Sequence, residues 1–270
     1  MGDLRPQGRA EIKRLLADYG VRPQRHLGQH FLADPNIIDR IVLEADVAPG
    51  DRIIEIGAGT GTLTRALAAA GASVVAFEVD RSLRLLLQDV CADLDVALRF
   101  EDALVADWPG EFGDGEWKLV ANLPYNVGTP LLMDAVRGAG GIKRFVVMVQ
   151  REVAQRLVAE PGSKEYGVPS VVAQLYSRPR IALRVAPTVF MPPPDVESAV
   201  VVLDRVVHHP LAEAAARLAS TAFQQRRKML RGSLSDLVDR DNFEAAEVSP
   251  SARPEELSAA DFLRLAEVLA

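Results

Sequence analysis

Residues 51–61, "DRIIEIGAGTG", run an apolar stretch directly into Gly57, Gly59 and Gly61, and "TLTRALAAAGA" follows with helical spacing of its apolar positions. Three glycines between an apolar run and a periodic one mark a tight strand-to-helix turn, and Gly71 stops the helix. The same unit recurs downstream. "SVVAFEVD" reads as a second strand and "RSLRLLLQDV" as its helix, "VALRFED" as a third strand, "KLVANLPYN" as a fourth and "RFVVMVQ" as a fifth, followed by the helical "REVAQRLVA". Strands that alternate with helices predict a mostly parallel sheet covered on both faces. After about Tyr176 the pattern changes. "RIALRVAP" and "SAVVVLDRV" are strand-like and are joined by the proline-rich "TVFMPPPDVE", so they are expected to pair antiparallel at one sheet edge. Beyond His209 come helical patterns: "PLAEAAARLASTAF", "RRKMLRGSL" and "SAADFLRLAEVLA". The expected organisation is a basic N-terminal arm over 1–30, an α/β domain over 31–205 and a small all-helical C-terminal domain over 206–270.

Composition narrows the function classes. Of 270 residues, 49% are hydrophobic and 25% charged, the values of an ordinary globular chain. No apolar run is long enough to span a bilayer, and the N-terminus has no apolar leader core, so a cytoplasmic protein is expected. Pro6 stands where a myristoylation motif needs Ser or Thr. A single cysteine, Cys91, excludes an internal disulfide and a cysteine-based zinc cluster. The net charge of −6 excludes a body coated in basic residues. Any contact with nucleic acid has to come from local positive patches.

The glycine turn carries acids in informative places. Glu55 precedes Gly57 by two positions, Glu78 ends the second strand and Asp102 ends the third. Glycines let the backbone approach a ligand at a helix N-terminus, and a carboxylate at the next strand end suits ribose hydroxyls. The dinucleotide fingerprint G-x-G-x-x-G fails, because Thr62 or Thr64 occupies its last place. An acid followed by G-x-G-x-G is instead the pattern of S-adenosylmethionine methyltransferases.

At the end of the fourth strand, "VANLPYN" places Asn122, Leu123, Pro124 and Tyr125 at the same sheet edge, where open α/β sheets bind ligands. An adenine amino group is a poor nucleophile because its lone pair is delocalised into the ring. The Asn122 side-chain carbonyl and a backbone carbonyl near Leu123 can accept its hydrogens, and Pro124 fixes the direction of that carbonyl. Tyr125 offers a face on which an extruded base can stack. A sulfonium donor leaves as a neutral group, so positioning and electrostatics suffice.

With these residues in view, the sequence resembles the small-subunit ribosomal RNA adenine dimethyltransferase family. The likeness runs from about Arg25 to the C-terminus, through "LGQHFLAD", "EIGAGTGTLT", "FEVD", "EDAL", "ANLPYN", "MVQREVAQRL", "YGVPSV" and "FMPPPDVESAVV", in order. It implies a Rossmann-like S-adenosylmethionine methyltransferase sheet, mostly parallel with one antiparallel strand, and a small helical C-terminal domain. It implies dimethylation of two adjacent adenosines near the 3′ end of 16S rRNA, in the small ribosomal subunit or its precursor, linked to ribosome biogenesis. Carried over by position, the cofactor contacts are His30, Leu32, Gly57, Gly59, Glu78, Asp102 and Asn122. The catalytic turn is Asn122, Leu123, Pro124 and Tyr125, with Phe190 near the target base. His30 stands where the family usually has asparagine, and Ala58 where proline is common.

Arg25 and the cluster Arg226, Arg227, Lys228 and Arg231 are the expected RNA contacts. His26 and His30 lack the partners of a metal motif, so no metal is expected, nor a membrane partner, and the chain carries no dimer signal. Three other readings are weighed: a large-subunit RNA methyltransferase, a ribosome-assembly factor for which methylation is secondary, and a nicotinamide dehydrogenase, which Thr62 disfavours.

Overall fold

The computed structural model describes residues 6–270, the side chain of Arg25 excepted. The chain opens with α1 (Arg9–Asp18), β1 (Phe31–Leu32) and α2 (Pro35–Glu44), then alternates through β2 (Arg52–Ile56), α3 (Thr62–Ala69), β3 (Ser73–Phe77), α4 (Arg84–Val90), β4 (Val96–Arg99), α5 (Trp108–Phe112), β5 (Trp117–Asn122), α6 (Gly128–Gly138) and β6 (Ile142–Gln150). There follow α7 (Arg151–Leu157), α8 (Val168–Tyr176), β7 (Ser177–Val185), β8 (Phe190–Met191) and β9 (Ser198–Arg205), and last α9 (Ala212–Phe223), α10 (Leu230–Ser233), α11 (Arg240–Ala245) and α12 (Ala259–Val268).

Seven strands form one sheet in the order β4-β3-β2-β5-β6-β9-β7. The β2–β3, β2–β5, β3–β4 and β5–β6 pairs are parallel, and β9 runs antiparallel to β6, from Arg144 opposite Asp204 to Gln150 opposite Ser198. The later of the two edge runs, β9, takes the inner place, and β7 lies outside it. The side chains explain the order. The β9 run from Ser198 to Leu203 is buried throughout, whereas β7 carries Arg178, Pro179, Arg180 and Arg184, which suit an outer edge. The short strand β8, inside the proline-rich stretch, was not anticipated; it pairs antiparallel with β1, Leu32 opposite Phe190.

The chain divides into two compact units, residues 1–154 with 181–204, and residues 155–180 with 205–270. That division differs from an arm, a sheet domain and a tail at two places. First, the N-terminal stretch is not a free arm: α1 buries Ile12 and Leu16 in the core of the sheet unit, together with Phe31, Ile53, Val120 and Phe190. Second, residues 155–180 pack with the C-terminal helices. The Tyr166 ring, just ahead of α8, lies tilted 6.1 Å from that of Phe223 on α9, which lies 6.4 Å from that of Phe262 on α12. The stretch "RRKMLRGSL" is also not one helix. The α9 helix ends at Phe223, Gln224–Lys228 turn, and Leu230 resumes with its amide on the Ala252 carbonyl at 2.8 Å.

Candidate active site

The strand ends fix what lines the site. Beyond the C-terminal ends of β2, β3, β4 and β5 lies an open cavity, about 740 Å³ when its mouth is counted. Gly57, Gly59, Glu78, Asp102, Asn122, Leu123, Pro124, Tyr125 and His30 all line it. Gly57 has φ 78°, and a Cβ there would stand 3.6 Å from the Asn122 carbonyl oxygen and 3.9 Å from the Pro124 ring. A side chain at Gly57 is disfavoured by the left-handed backbone, and its Cβ would lie against the other turn. At Gly59 a Cβ would come to 3.0 Å from the Phe31 ring.

Glu78 is buried and binds the turn from beneath. Its Oε2 accepts the Gly59 amide at 2.8 Å, and its Oε1 accepts the Asp80 amide at 2.8 Å. An ionised carboxylate offers about four acceptor positions, so roughly two remain. Burial raises its pKa, and the Asp80 and Gly59 amides pull it back. Asp102 is exposed and accepts the Leu104 amide at 2.9 Å through one oxygen, Oδ1.

The fourth turn is held by backbone and side chain together. The Leu123 amide bonds the Met148 carbonyl at 3.1 Å, continuing the β5–β6 ladder past Asn122. The Asn122 Nδ2 donates to the His30 carbonyl at 3.1 Å. An amide whose nitrogen faces that carbonyl turns Oδ1 the other way, and no bond to Oδ1 occurs among the described residues. The Pro124 carbonyl is taken by the Val127 and Gly128 amides, at 3.3 and 2.8 Å. That leaves the Leu123 carbonyl, held in place by the following proline, as the rigid acceptor. The Tyr125 ring stacks on the His30 ring at 5.5 Å and 27°, and its hydroxyl lies 2.5 Å from the Ser198 Oγ. Burial raises the pKa of Tyr125, partly offset by the Ser198 contact.

The sequence model of the family described as "Ribosomal RNA adenine dimethylase" matches residues 20–270. The chain belongs to that family. Two relatives named ribosomal RNA small subunit methyltransferase A are 43% identical in Phenylobacterium zucineum, over 95% of this chain and 91% of that protein, and 42% identical in Leifsonia xyli subsp. xyli, over 98% and 99%. Among solved structures, a dimethyladenosine transferase from Plasmodium falciparum shares the fold at TM-score 0.74 and 24% identity, covering 87% of this chain and 96% of that one. The 23S rRNA methyltransferase ErmE superposes at TM-score 0.70 with 25% identity, over 88% and 99%.

The remaining expected residues of this adenine dimethylase fall in different places. His30 is tied at Nδ1 to the Pro192 carbonyl at 2.8 Å. Leu32 is buried and lines a side pocket with Glu55, Thr60 and Thr62 rather than the main cavity. Phe190 is fully buried in the core of the sheet unit and is not among the cavity-lining residues. The backbone at Arg25 begins a short 3-10 turn, but its side chain lies outside the described residues. Arg226 is half-exposed and paired within the helical unit, with Nε on Glu255 at 2.6 Å and Nη2 on the Lys164 carbonyl at 2.9 Å. Lys228 and Arg231 are exposed, and Arg227 is exposed beside them. No group of His, Cys, Asp and Glu suited to a metal ion occurs among the described residues, and no helix there is long and apolar enough to cross a membrane.

Two features of the dimethylase site were not foreseen. Gln24 and Gln29 both donate to Asp80 Oδ2, at 2.9 and 2.7 Å, fastening the loop before His30 to the end of β3. Burial would raise the Asp80 pKa, but the bonds from Ser82, Gln29 and Gln24 together lower it. The other is Glu55, fully buried on β2 with no hydrogen-bond partner on Oε2. Burial pushes its carboxyl up to about 8; Thr64 lies close enough to pull it back, short of hydrogen-bond geometry at its hydroxyl, and the Glu78 charge pushes it further up.

The folded state holds this proton more tightly than the unfolded chain, so the stabilisation is complete below about pH 4.5 and is lost as pH climbs through about 8. At about 1.4 kcal/mol per unit, the upper bound is on the order of 5 kcal/mol. In calorimetry of cofactor-free protein, Glu55→Gln is expected to melt with the parent near pH 5. At pH 8.5 it should melt clearly higher, because the amide cannot ionise. Parallel pH profiles for the two proteins would refute the buried-acid assignment.

Proposed function

We propose that this enzyme transfers methyl groups from S-adenosylmethionine to the exocyclic amino groups of two adjacent adenosines near the 3′ end of small-subunit ribosomal RNA. The observation that carries the reading is the Asn122 amide, which donates to the His30 carbonyl beside a glycine turn whose Gly57 lies at φ 78° against the Asn122 carbonyl. The residues present fit such a cofactor. Glu78 retains acceptor positions for ribose hydroxyls, Asp102 retains a free oxygen at the cavity rim, and Ile56, Phe77 and Leu131 supply apolar wall. When bound, the cofactor supplies an electrophilic methyl on a sulfonium that departs neutral.

The chain's own residues do the rest. Asn122 Oδ1 and the Leu123 carbonyl accept the two amino hydrogens, which draws the nitrogen toward tetrahedral geometry and frees its lone pair. Tyr125, braced by His30 and Ser198, presents the stacking surface for the base. No general base has to act before attack, and the proton leaves afterwards from a nitrogen that has become acidic. The exposed Arg227, Lys228 and Arg231 suit phosphate contacts.

Large-subunit RNA is the second reading, because ErmE shares the fold. The 38–43% identical relatives, all named for the small subunit, favour the first. Incubation of labelled methyl donor with small and large subunits that both lack the modification is expected to yield labelled dimethyladenosine at two neighbouring positions of the small-subunit RNA. Label confined to large subunits would overturn the assignment.

A further inference from the structure

The family match begins at residue 20, yet upstream of it Gln7 and Arg9 hold two segments that flank the site, the start of α3 and the proline-rich loop. Gln7 is fully buried, and its Oε1 accepts the Thr62 hydroxyl at 2.6 Å. Thr62 opens α3 directly after the glycine turn, and its hydroxyl lies 3.4 Å from that of Thr60. Two positions on, the Arg9 guanidinium donates through Nη2 to the Thr188 carbonyl at 2.5 Å and the Phe190 carbonyl at 2.9 Å. These carbonyls belong to the loop whose next residues lead to Pro192, the partner of His30. Glu11 adds an ion pair to Arg65 of α3 at 3.5 Å, and Ile12 and Leu16 seat the helix in the core.

We infer that residues 6–18 form a strap fixing the proline-rich loop, and through it His30, relative to the glycine turn, with Gln7 and Arg9 as positioning residues for methyl transfer. Neither residue lines the cavity. Gln7 acts through Thr62 on the cofactor side, and Arg9 acts through the 188–192 backbone on the acceptor side. A charged donor on two carbonyls is stronger than a neutral pair. The gain is geometric: a misplacement on the order of 1 Å costs about a hundredfold in rate. Burial of Ile12 and Leu16 accounts for the helix docking on the core, but it does not call for a guanidinium on two loop carbonyls. The inference rests on the proposed acceptor role of the Asn122–His30 pair.

The test uses the full chain with Arg9→Met, which keeps the apolar stem of an exposed residue, and Arg9→Lys, which restores one donor. Arg9→Met is expected to lower kcat on unmodified small subunits about tenfold and to leave cofactor affinity by calorimetry within about twofold. Amide exchange should speed up at 187–192 and not elsewhere, and Arg9→Lys should recover part of the loss. Unchanged kcat and exchange would overturn the strap, as would a fall in melting temperature with exchange raised throughout. Gln7→Met supplies an independent arm: weaker cofactor binding with faster exchange at 59–65 supports the strap, and unaltered values refute it. A parent enzyme inactive on small subunits would sink the functional reading alone, because the exchange and calorimetric arms need no RNA.

Discussion

Asn122→Ala is expected to reduce methyl transfer by about a hundred- to a thousandfold, the usual cost of removing one preorganised polar contact to a reacting centre. The effect should fall on kcat, because the contact to the acceptor amine strengthens as that nitrogen pyramidalises. Asn122→Asp separates two components. It keeps an acceptor oxygen but loses the Nδ2 that bonds the His30 carbonyl at 3.1 Å. A carboxylate facing that carbonyl is repelled, so the side chain swings and the His30 latch opens. The aspartate variant should therefore be nearly as impaired as alanine, although it is isosteric and can accept. Single-turnover assays with saturating cofactor and small subunits give the readout. An aspartate variant with near-parental rate would mean that the His30 latch does not orient the acceptor. An alanine variant with near-parental rate would remove Asn122 from the chemistry.

Much of this architecture is written in local pattern. Glycines after "DRIIEI", acids after the next two strands and a proline-locked amide after the fourth each announce a strand end, and parallel strands bring such ends to one edge. What escaped the sequence depends on contacts between distant residues. The spacing of Ile12, Leu15, Leu16 and Tyr19 is helical, yet nothing local says that α1 shares a core with Phe190 or that Arg9 reaches residues about 180 positions away. Phe190 sits between Val189 and Met191 in a proline-rich stretch with no helical or strand period, yet β8 pairs with β1 there and its ring is buried in the core. Arg226 belongs by sequence to a basic run, and only the fold brings Glu255 beside it. The two edge strands were recognisable as strands, but their order followed from which of them had an apolar residue at nearly every position, as β9 does.

Glu78→Ala is expected to weaken cofactor binding by about a hundredfold or more, and to cost stability as well. The two effects have separate causes. Bonds from ribose hydroxyls to a charged acceptor are worth about 1.5–3 kcal/mol each, so two together exceed a hundredfold in affinity. The Gly59 and Asp80 amides, each 2.8 Å from this carboxylate, would be left without their acceptor inside the protein. An unsatisfied buried donor costs about 1–3 kcal/mol, which for a chain of this size lowers the melting temperature by roughly 2–10 °C. Glu78→Gln sharpens the test. The amide oxygen can serve one of the two backbone donors, but the NH2 group then confronts the other, so the glycine turn stays strained and the binding loss persists. The parent has its own signature. Burial raises the Glu78 pKa, and only the ionised form accepts both amides and both hydroxyls. Cofactor affinity should therefore fall on acidification through that raised pKa, and the Gln variant should be flat over the same range. Isothermal titration at several pH values decides it. A glutamine variant that binds cofactor like the parent, with the same pH dependence, would mean that the carboxylate braces the turn and does not hold the ligand.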